Sequence, residues 1–218
     1  KWLLVAAIPL LATFLRLYRI DALPPGDMYD PAFYGLDALQ ILDGETPIYF
    51  TSNYGREPLF SYLVAACVAG LGVGSTAIFA ASALVGILTV PAVYLAAEAL
   101  LAEEEGWLAE FGGLAAAGAT ALSFWHLMWS RSGVRAILTP LFASLAVWAL
   151  WRGLYSRRSP RWLLFVGCGA LLGLGMYTYQ ASYLLPVLAV AGWAYANWRR
   201  GTWDRKTFLD LAAVALVA

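Results

Sequence analysis

Charge is scarce in this sequence. Asp, Glu, Lys and Arg make up only 13% of its 218 residues, against roughly 25% in an ordinary soluble domain. The 14 basic and 14 acidic side chains cancel, so no net positive field gathers nucleic acid, which is not expected as a partner. Histidine is scarcer still: His126 stands alone, without partner ligands nearby in sequence, and reads as an interface residue rather than a catalytic one. The two cysteines, Cys67 and Cys168, sit inside apolar runs with neither CxxC nor metal spacing. They read as small buried hydrophobes. No P-loop, GxGxxG, HExxH or haem motif occurs. No file of acids suggests a proton path, and neither an internal repeat nor paired broken helices point to a transporter.

What the sequence does have is apolar length. Hydrophobic residues make up 61% of it, more than a water-soluble core can hide, and lipid is the natural solvent for such a chain. Apolar segments run over about 2–17, 58–73, 76–101, 107–129, 136–154, 162–177 and 181–198, with a further one from Phe208. Backbone groups in hydrocarbon must pair internally, so each segment is predicted to be a helix, and the fold class is an all-α polytopic transmembrane bundle. Leu3–Leu15 is followed by Arg16 and Arg19 rather than a small-residue cleavage site, so it reads as a retained helix. The chain begins at Lys1 and stops within the apolar run 208–218. It is therefore expected to be one transmembrane module, residues 1–218, of a longer protein.

The longest polar stretch is 20–57. Within it a short helix is predicted from Pro31 to Asp43, with Asp30 as N-cap, Pro31 in the first helical position and Gly44 just past the end. Tyr29 and Tyr34 stand at hydrophobic-staple spacing. Phe33, Leu36, Leu39 and Gln40 alternate with Asp37 and Asp43, as in an amphipathic helix lying on a membrane surface.

Loop charge orients the chain. Arg152, Arg157, Arg158 and Arg161 form one cluster, and Arg199, Arg200, Arg205 and Lys206 another. Two spans separate them, so both lie on one side, which positive charge marks as cytoplasmic. Counting backward places 130–135 outside. If 58–73 spanned, the 20–57 loop would be cytoplasmic. If it lies at the interface or re-enters, Lys1 is cytoplasmic and the loop is outside. The second arrangement is preferred, because 58–73 is short and ends in Gly70, Gly72 and Gly74. The chain then divides into an extracytoplasmic loop with two juxtamembrane helices, 20–74, and transmembrane helices, 75–218.

In that arrangement Asp27, Asp30, Arg56, Glu57, Arg131, Arg135, Tyr177, Tyr179 and Gln180 converge on the outer side. A carboxylate there can take a proton from an acceptor hydroxyl. Asp30 is the candidate, with N-capping as the competing role, and Asp27 reads more readily as a turn residue. Arginines can clamp a phosphate or stabilise a phosphate leaving group. Arg56, Arg131 and Arg135 are candidates, against a helix start for Arg56-Glu57-Pro58 and snorkelling beside tryptophans for the other two. Glu57 can orient an arginine or assist the base. Tyr177, Tyr179 and Gln180 suit a sugar, or equally an aromatic belt.

Taken in order, Leu15-Arg-Leu-Tyr-Arg-Ile-Asp21, Leu23-Pro-Pro-Gly26, Ala32-Phe-Tyr-Gly-Leu-Asp-Ala-Leu39, Asn53-Tyr-Gly-Arg-Glu-Pro-Leu-Phe60, Leu88-Thr-Val-Pro-Ala-Val-Tyr94, Ser130-Arg-Ser-Gly-Val-Arg135 and Met176-Tyr-Thr-Tyr-Gln180 resemble the GT-C superfamily of membrane glycosyltransferases. The likeness is to bacterial relatives of dolichyl-phosphate-mannose protein mannosyltransferases and of the aminoarabinose lipid A transferase. The resemblance implies an outward first loop with two juxtamembrane helices, a polyprenyl-phosphate sugar donor, and a first-loop aspartate as catalytic base, which falls on Asp30. It implies a bacterial inner-membrane protein with a cytoplasmic N-terminus among membrane lipids. Metal use varies in the family. A second acid often follows the aspartate; here Pro31 stands there, so no cofactor is assigned and a two-acid site for a divalent metal is not expected. The same departure allows an alternative, a non-catalytic subunit or scaffold of a larger membrane complex.

Overall fold

The structure is a computed structural model that describes residues 1–23, 29–155 and 161–218. Among the described residues are ten α-helices and no named strand: α1 (Trp2–Leu17), α2 (Tyr29–Leu42), α3 (Leu59–Leu71), α4 (Ser75–Leu100), α5 (Gly106–Leu122), α6 (Phe124–Arg131), α7 (Leu138–Tyr155), α8 (Trp162–Gly175), α9 (Leu185–Arg200) and α10 (Arg205–Val217), with 3-10 turns at Arg135–Ile137 and Gln180–Leu184. The all-α class follows from the sequence as expected. A hydrophobic chain without water must bond its own backbone, and a helix does this within one segment. Large apolar side chains cover the outside, among them Trp2, Leu3, Leu10, Leu84, Val187 and Leu188. Such a surface suits lipid, and the chain is a membrane protein. Ser75–Leu100 and Arg135–Tyr155 are each long and apolar enough to cross a bilayer.

Three clusters of buried side chains hold the helices. Ala12, Val90, Ala117 and Ala121 join α1, α4 and α5. Leu150, Phe165, Cys168, Leu172, Trp193 and Val214 join α7 through α10, so Cys168 is the small core residue its setting implied. Small residues allow close approach: a Cβ added at Gly169 would strike the Val214 carbonyl oxygen of α10. The third cluster joins Tyr34 and Ala38 of α2 and Phe60, Val64 and Val68 of α3 to Ala77, Ile78, Ala81 and Val85 of α4, with Ile137 and Leu138 where α7 begins.

That cluster fixes one end of the molecule. Just before α3, Glu57 meets Arg135, and at its first residue the amide of Leu59 donates to the Tyr177 carbonyl. Just after α3, α4 begins, and its Ile78 lies so close to Gly133 that an added Cβ there would sit 2.9 Å away. The residues flanking α3 on both sides therefore meet the same end of α4 and α7. With 13 residues at 1.5 Å each, α3 is about 20 Å long, shorter than the ~30 Å hydrocarbon core.

Three local expectations are corrected. The segment 107–129 is not one helix. It breaks at Ser123, whose ψ of 121° leaves the helical region and whose hydroxyl accepts from the His126 amide at 3.5 Å. The helix after the polar loop starts at Tyr29, so Asp30 lies in its first turn rather than capping it. There the exposed amides of the helix start still favour an acid. Nor do Tyr29 and Tyr34 form a staple: Tyr29 is exposed and packs edge-on to Phe33, whereas Tyr34 is buried against Phe60. Gly44 does follow the helix end, at φ +99°.

Candidate active site

Loops and helix starts meet above the third cluster. They enclose a cavity of about 490 Å³ lined by Asp30, Tyr34, Phe124, Trp125, Met128, Trp129, Ser132, Val134, Arg135, Ala136, Tyr179 and Gln180. A second cavity of about 440 Å³ shares Trp125, Trp129, Ala136 and Tyr179 with it and continues past Ile137 and Pro140. The first carries a carboxylate and a guanidinium on its walls. The second is almost wholly apolar apart from Ser123, His126 and Thr139.

Asp30 is exposed, and its Oδ1 accepts from the Asn53 side-chain amide at 3.1 Å. Arg135 lies just past the end of α6, after Gly133, which takes φ +65°. Its guanidinium stands 2.7 Å from Glu57 Oε2 and 5.5 Å from the centre of the Tyr179 ring. The contact with Glu57 is an ion pair without a well-aligned N–H···O bond, which leaves Arg135 donors uncommitted. Glu57 is buried, and its other oxygen accepts from the Tyr183 hydroxyl at 3.2 Å. Burial, then the nearby Glu57 carboxylate, hold the Tyr183 phenol above its ordinary pKa. Burial pushes the Tyr34 phenol up to about 12, so its hydroxyl stays protonated at any physiological pH.

Two of the three candidate arginines are placed elsewhere. Arg56 is buried, and its Nη2 donates to Asp37 Oδ1 and Oδ2 at 2.7 and 2.8 Å. Its Nη1 donates to the Ser52 carbonyl at 2.8 Å, and the rings of Phe33, Tyr34 and Phe50 surround it. Asp37, which reads in sequence as part of the polar face of α2, is turned inward by this pair and also accepts from Ser61 at 3.1 Å. Arg131 caps the end of α1. It donates to the carbonyls of Leu15, Arg16, Tyr18, Arg19 and Leu23 at 2.7 to 3.3 Å, groups a helix terminus otherwise leaves unpaired. With their donors committed inside the protein, neither arginine lines the cavity.

Of the remaining candidates, Tyr179 and Gln180 line the cavity, Glu57 backs it through Arg135, and the Tyr177 ring is exposed outside it. Asp27 lies outside the described residues. Sequence reasoning missed Asn53, Tyr34, Tyr183 and Ser132. Only Tyr34 carried a signal: it stands one helical turn from both Asp30 and Asp37, so a helix from Tyr29 puts it beside them. Among the described residues, no group of three or more His, Cys, Asp or Glu comes together as metal ligands.

The family described as Dolichyl-phosphate-mannose-protein mannosyltransferase matches residues 56–218, well over half of the chain. No curated protein and no solved structure matches it.

Proposed function

The chain belongs to the dolichyl-phosphate-mannose-protein mannosyltransferase family and is a membrane glycosyltransferase of the GT-C type, and from that premise we propose that it moves a sugar from a polyprenyl-phosphate donor to an acceptor hydroxyl with Asp30 as general base. The observation that carries this reading is the pair of adjoining cavities, one with Asp30 and Arg135 on its walls, the other apolar. An amphiphilic donor suits such a pair: phosphate and sugar in the first, the first isoprene units in the second.

In the proposed reaction Asp30 accepts the proton of the acceptor hydroxyl as its oxygen attacks the anomeric carbon. The bond from that carbon to the phosphate oxygen breaks, and the configuration inverts. The charge that grows on the departing phosphate meets Arg135 in a site partly shielded from water. Tyr179, Gln180 and the exposed rings of Phe124 and Trp125 hold the sugar by hydrogen bonding and stacking. Residues 20–74 lie on the extracytoplasmic face of a bacterial inner membrane, with Lys1 in the cytoplasm. This orientation is supported by the basic loops and by the way both flanks of α3 meet one end of the bundle.

The test is Asp30→Asn in the full protein, reconstituted in phospholipid vesicles with dolichyl-phosphate mannose. Turnover is expected to fall by about 10²- to 10⁴-fold with the melting temperature unchanged. Wild-type turnover by the variant removes Asp30 as the base. Pro31, buried beside Asp30 where a second acid often stands, favours a second reading, a scaffold subunit of a larger membrane complex. A fixed-stoichiometry partner together with no binding of the donor lipid would select it.

A further inference from the structure

The turn 52–55 carries an unusual backbone. Asn53 and Tyr54 take φ of 49° and 63°, and Gly55 follows at 86°. Left-handed conformations suit glycine and are tolerated by asparagine, but a tyrosine there is strained. Such strain persists only where surrounding structure imposes it. Here the restraint is visible. Phe50 and Arg56 pair their backbones across the turn at 2.7 and 3.0 Å. Beneath it, the Arg56 guanidinium donates to both the carbonyl and the hydroxyl of Ser52, at 2.8 and 3.0 Å, while Asp37 fixes the same guanidinium from α2. At Gly55 any Cβ would collide with the Tyr49 hydroxyl, so the turn is also closed from the side.

The tip of this held turn brings one polar group to Asp30 at the cavity wall. The Asn53 amide donates to Asp30 Oδ1 at 3.1 Å, the one side-chain hydrogen bond Asp30 makes among the described residues. The other oxygen is left to the cavity, where a hydroxyl proton has to arrive. We propose that Asn53 is a positioning residue for Asp30: it fixes the carboxylate rotamer, and the strained turn pinned by Arg56 exists to hold it there. The buried Arg56–Asp37 pair then acts on the reaction through the base, without touching substrate. This inference rests on the reading of Asp30 as the base.

Three substitutions separate positioning from support of the turn. Asn53→Gly keeps, and even relaxes, the left-handed backbone but removes the donor. Asn53→Ala loses both. Asn53→Asp is isosteric and tolerates the backbone, but sets an acceptor of like charge against Asp30. With dolichyl-phosphate mannose in vesicles, Asn53→Gly is expected to lower kcat about tenfold with KM for the donor and the melting temperature unchanged, and Asn53→Asp to lower it further. A role confined to the turn predicts wild-type kcat for Asn53→Gly, and that result overturns the proposal. A second readout needs no turnover. Labelling of Asp30 by a water-soluble carbodiimide, located by mass spectrometry, is expected to quicken several-fold in Asn53→Gly, because the carboxylate is no longer held. Unchanged labelling overturns the contact itself. If Asp30→Asn stays fully active, the general-base reading fails on its own, whatever Asn53 does to labelling.

Discussion

Arg56 and Arg135 lie close to the same end of the bundle and are equal candidates by sequence, yet their surroundings differ sharply. Arg56 has a bidentate carboxylate, a backbone carbonyl, a hydroxyl and three aromatic rings around it. Arg135 has one poorly aligned ion pair and one ring, and borders open volume. A cation whose donors are saturated by the fold is part of the scaffold, whereas one with donors left over can still bind something else. The difference lies in how many of the five N–H groups are spoken for.

This contrast breaks most sharply at Arg56. Arg56→Ala strands Asp37 in the interior, and breaking a buried pair from one side costs about 3–5 kcal/mol. The expected outcome is a large drop in melting temperature in detergent, or loss of folded protein. The double substitution Asp37→Leu with Arg56→Met should recover most of that stability, since an apolar pair leaves no uncompensated charge. Its turnover should stay low, because the turn beneath Asn53 has lost its pin. Arg135→Lys is expected to do the reverse: it keeps a positive charge beside the buried Glu57, so stability stays near normal, while loss of the planar guanidinium fork lowers turnover of dolichyl-phosphate mannose by about tenfold. If the Arg135 variant unfolds while the Arg56 variant merely slows, the assignment of the two roles is inverted.

Smaller effects sharpen the same line. Tyr183→Phe removes one hydrogen bond to Glu57 and should cost about 1 kcal/mol or less. It should raise KM for the donor modestly by loosening Arg135. Tyr34, whose ring lies between the two arginines, gives a pH signature. Burial raises its folded pKa to about 12, against about 10 in an unfolded chain. Between those values the folded state holds the proton that the unfolded state has lost, so stability falls as pH rises through that window. Tyr34→Phe should remove this alkaline loss, as read from melting temperatures in detergent on either side of about pH 10.

The helices were legible in sequence because lipid leaves an apolar segment no other way to satisfy its backbone. Asp30, Arg135, Tyr179 and Gln180, which share the cavity, could be grouped in advance because spans alternate and basic loops mark one side. What escaped was non-local. Asp37 looks solvent-facing until Arg56, 19 residues away, is folded onto it. Arg131 looks like a snorkelling surface cation until the end of α1 is set beneath it. The break at Ser123 has no glycine or proline to announce it. A contact such as Asn53 with Asp30 depends on backbone angles that an asparagine permits but does not demand.

Arg16 bears on how such a molecule is made. It is fully buried and contacts no carboxylate among the described residues. Its guanidinium is held by the carbonyls of Ala12, Thr120 and Ala121, the hydroxyl of Ser130 and the ring of His126. All but the first of these partners come more than a hundred residues later in the chain. The ribosome therefore makes α1 about a hundred residues before these other partners of Arg16, and a lone arginine in hydrocarbon is costly. The shelter for Arg16 is complete only once the broken pair α5 and α6 stands against α1.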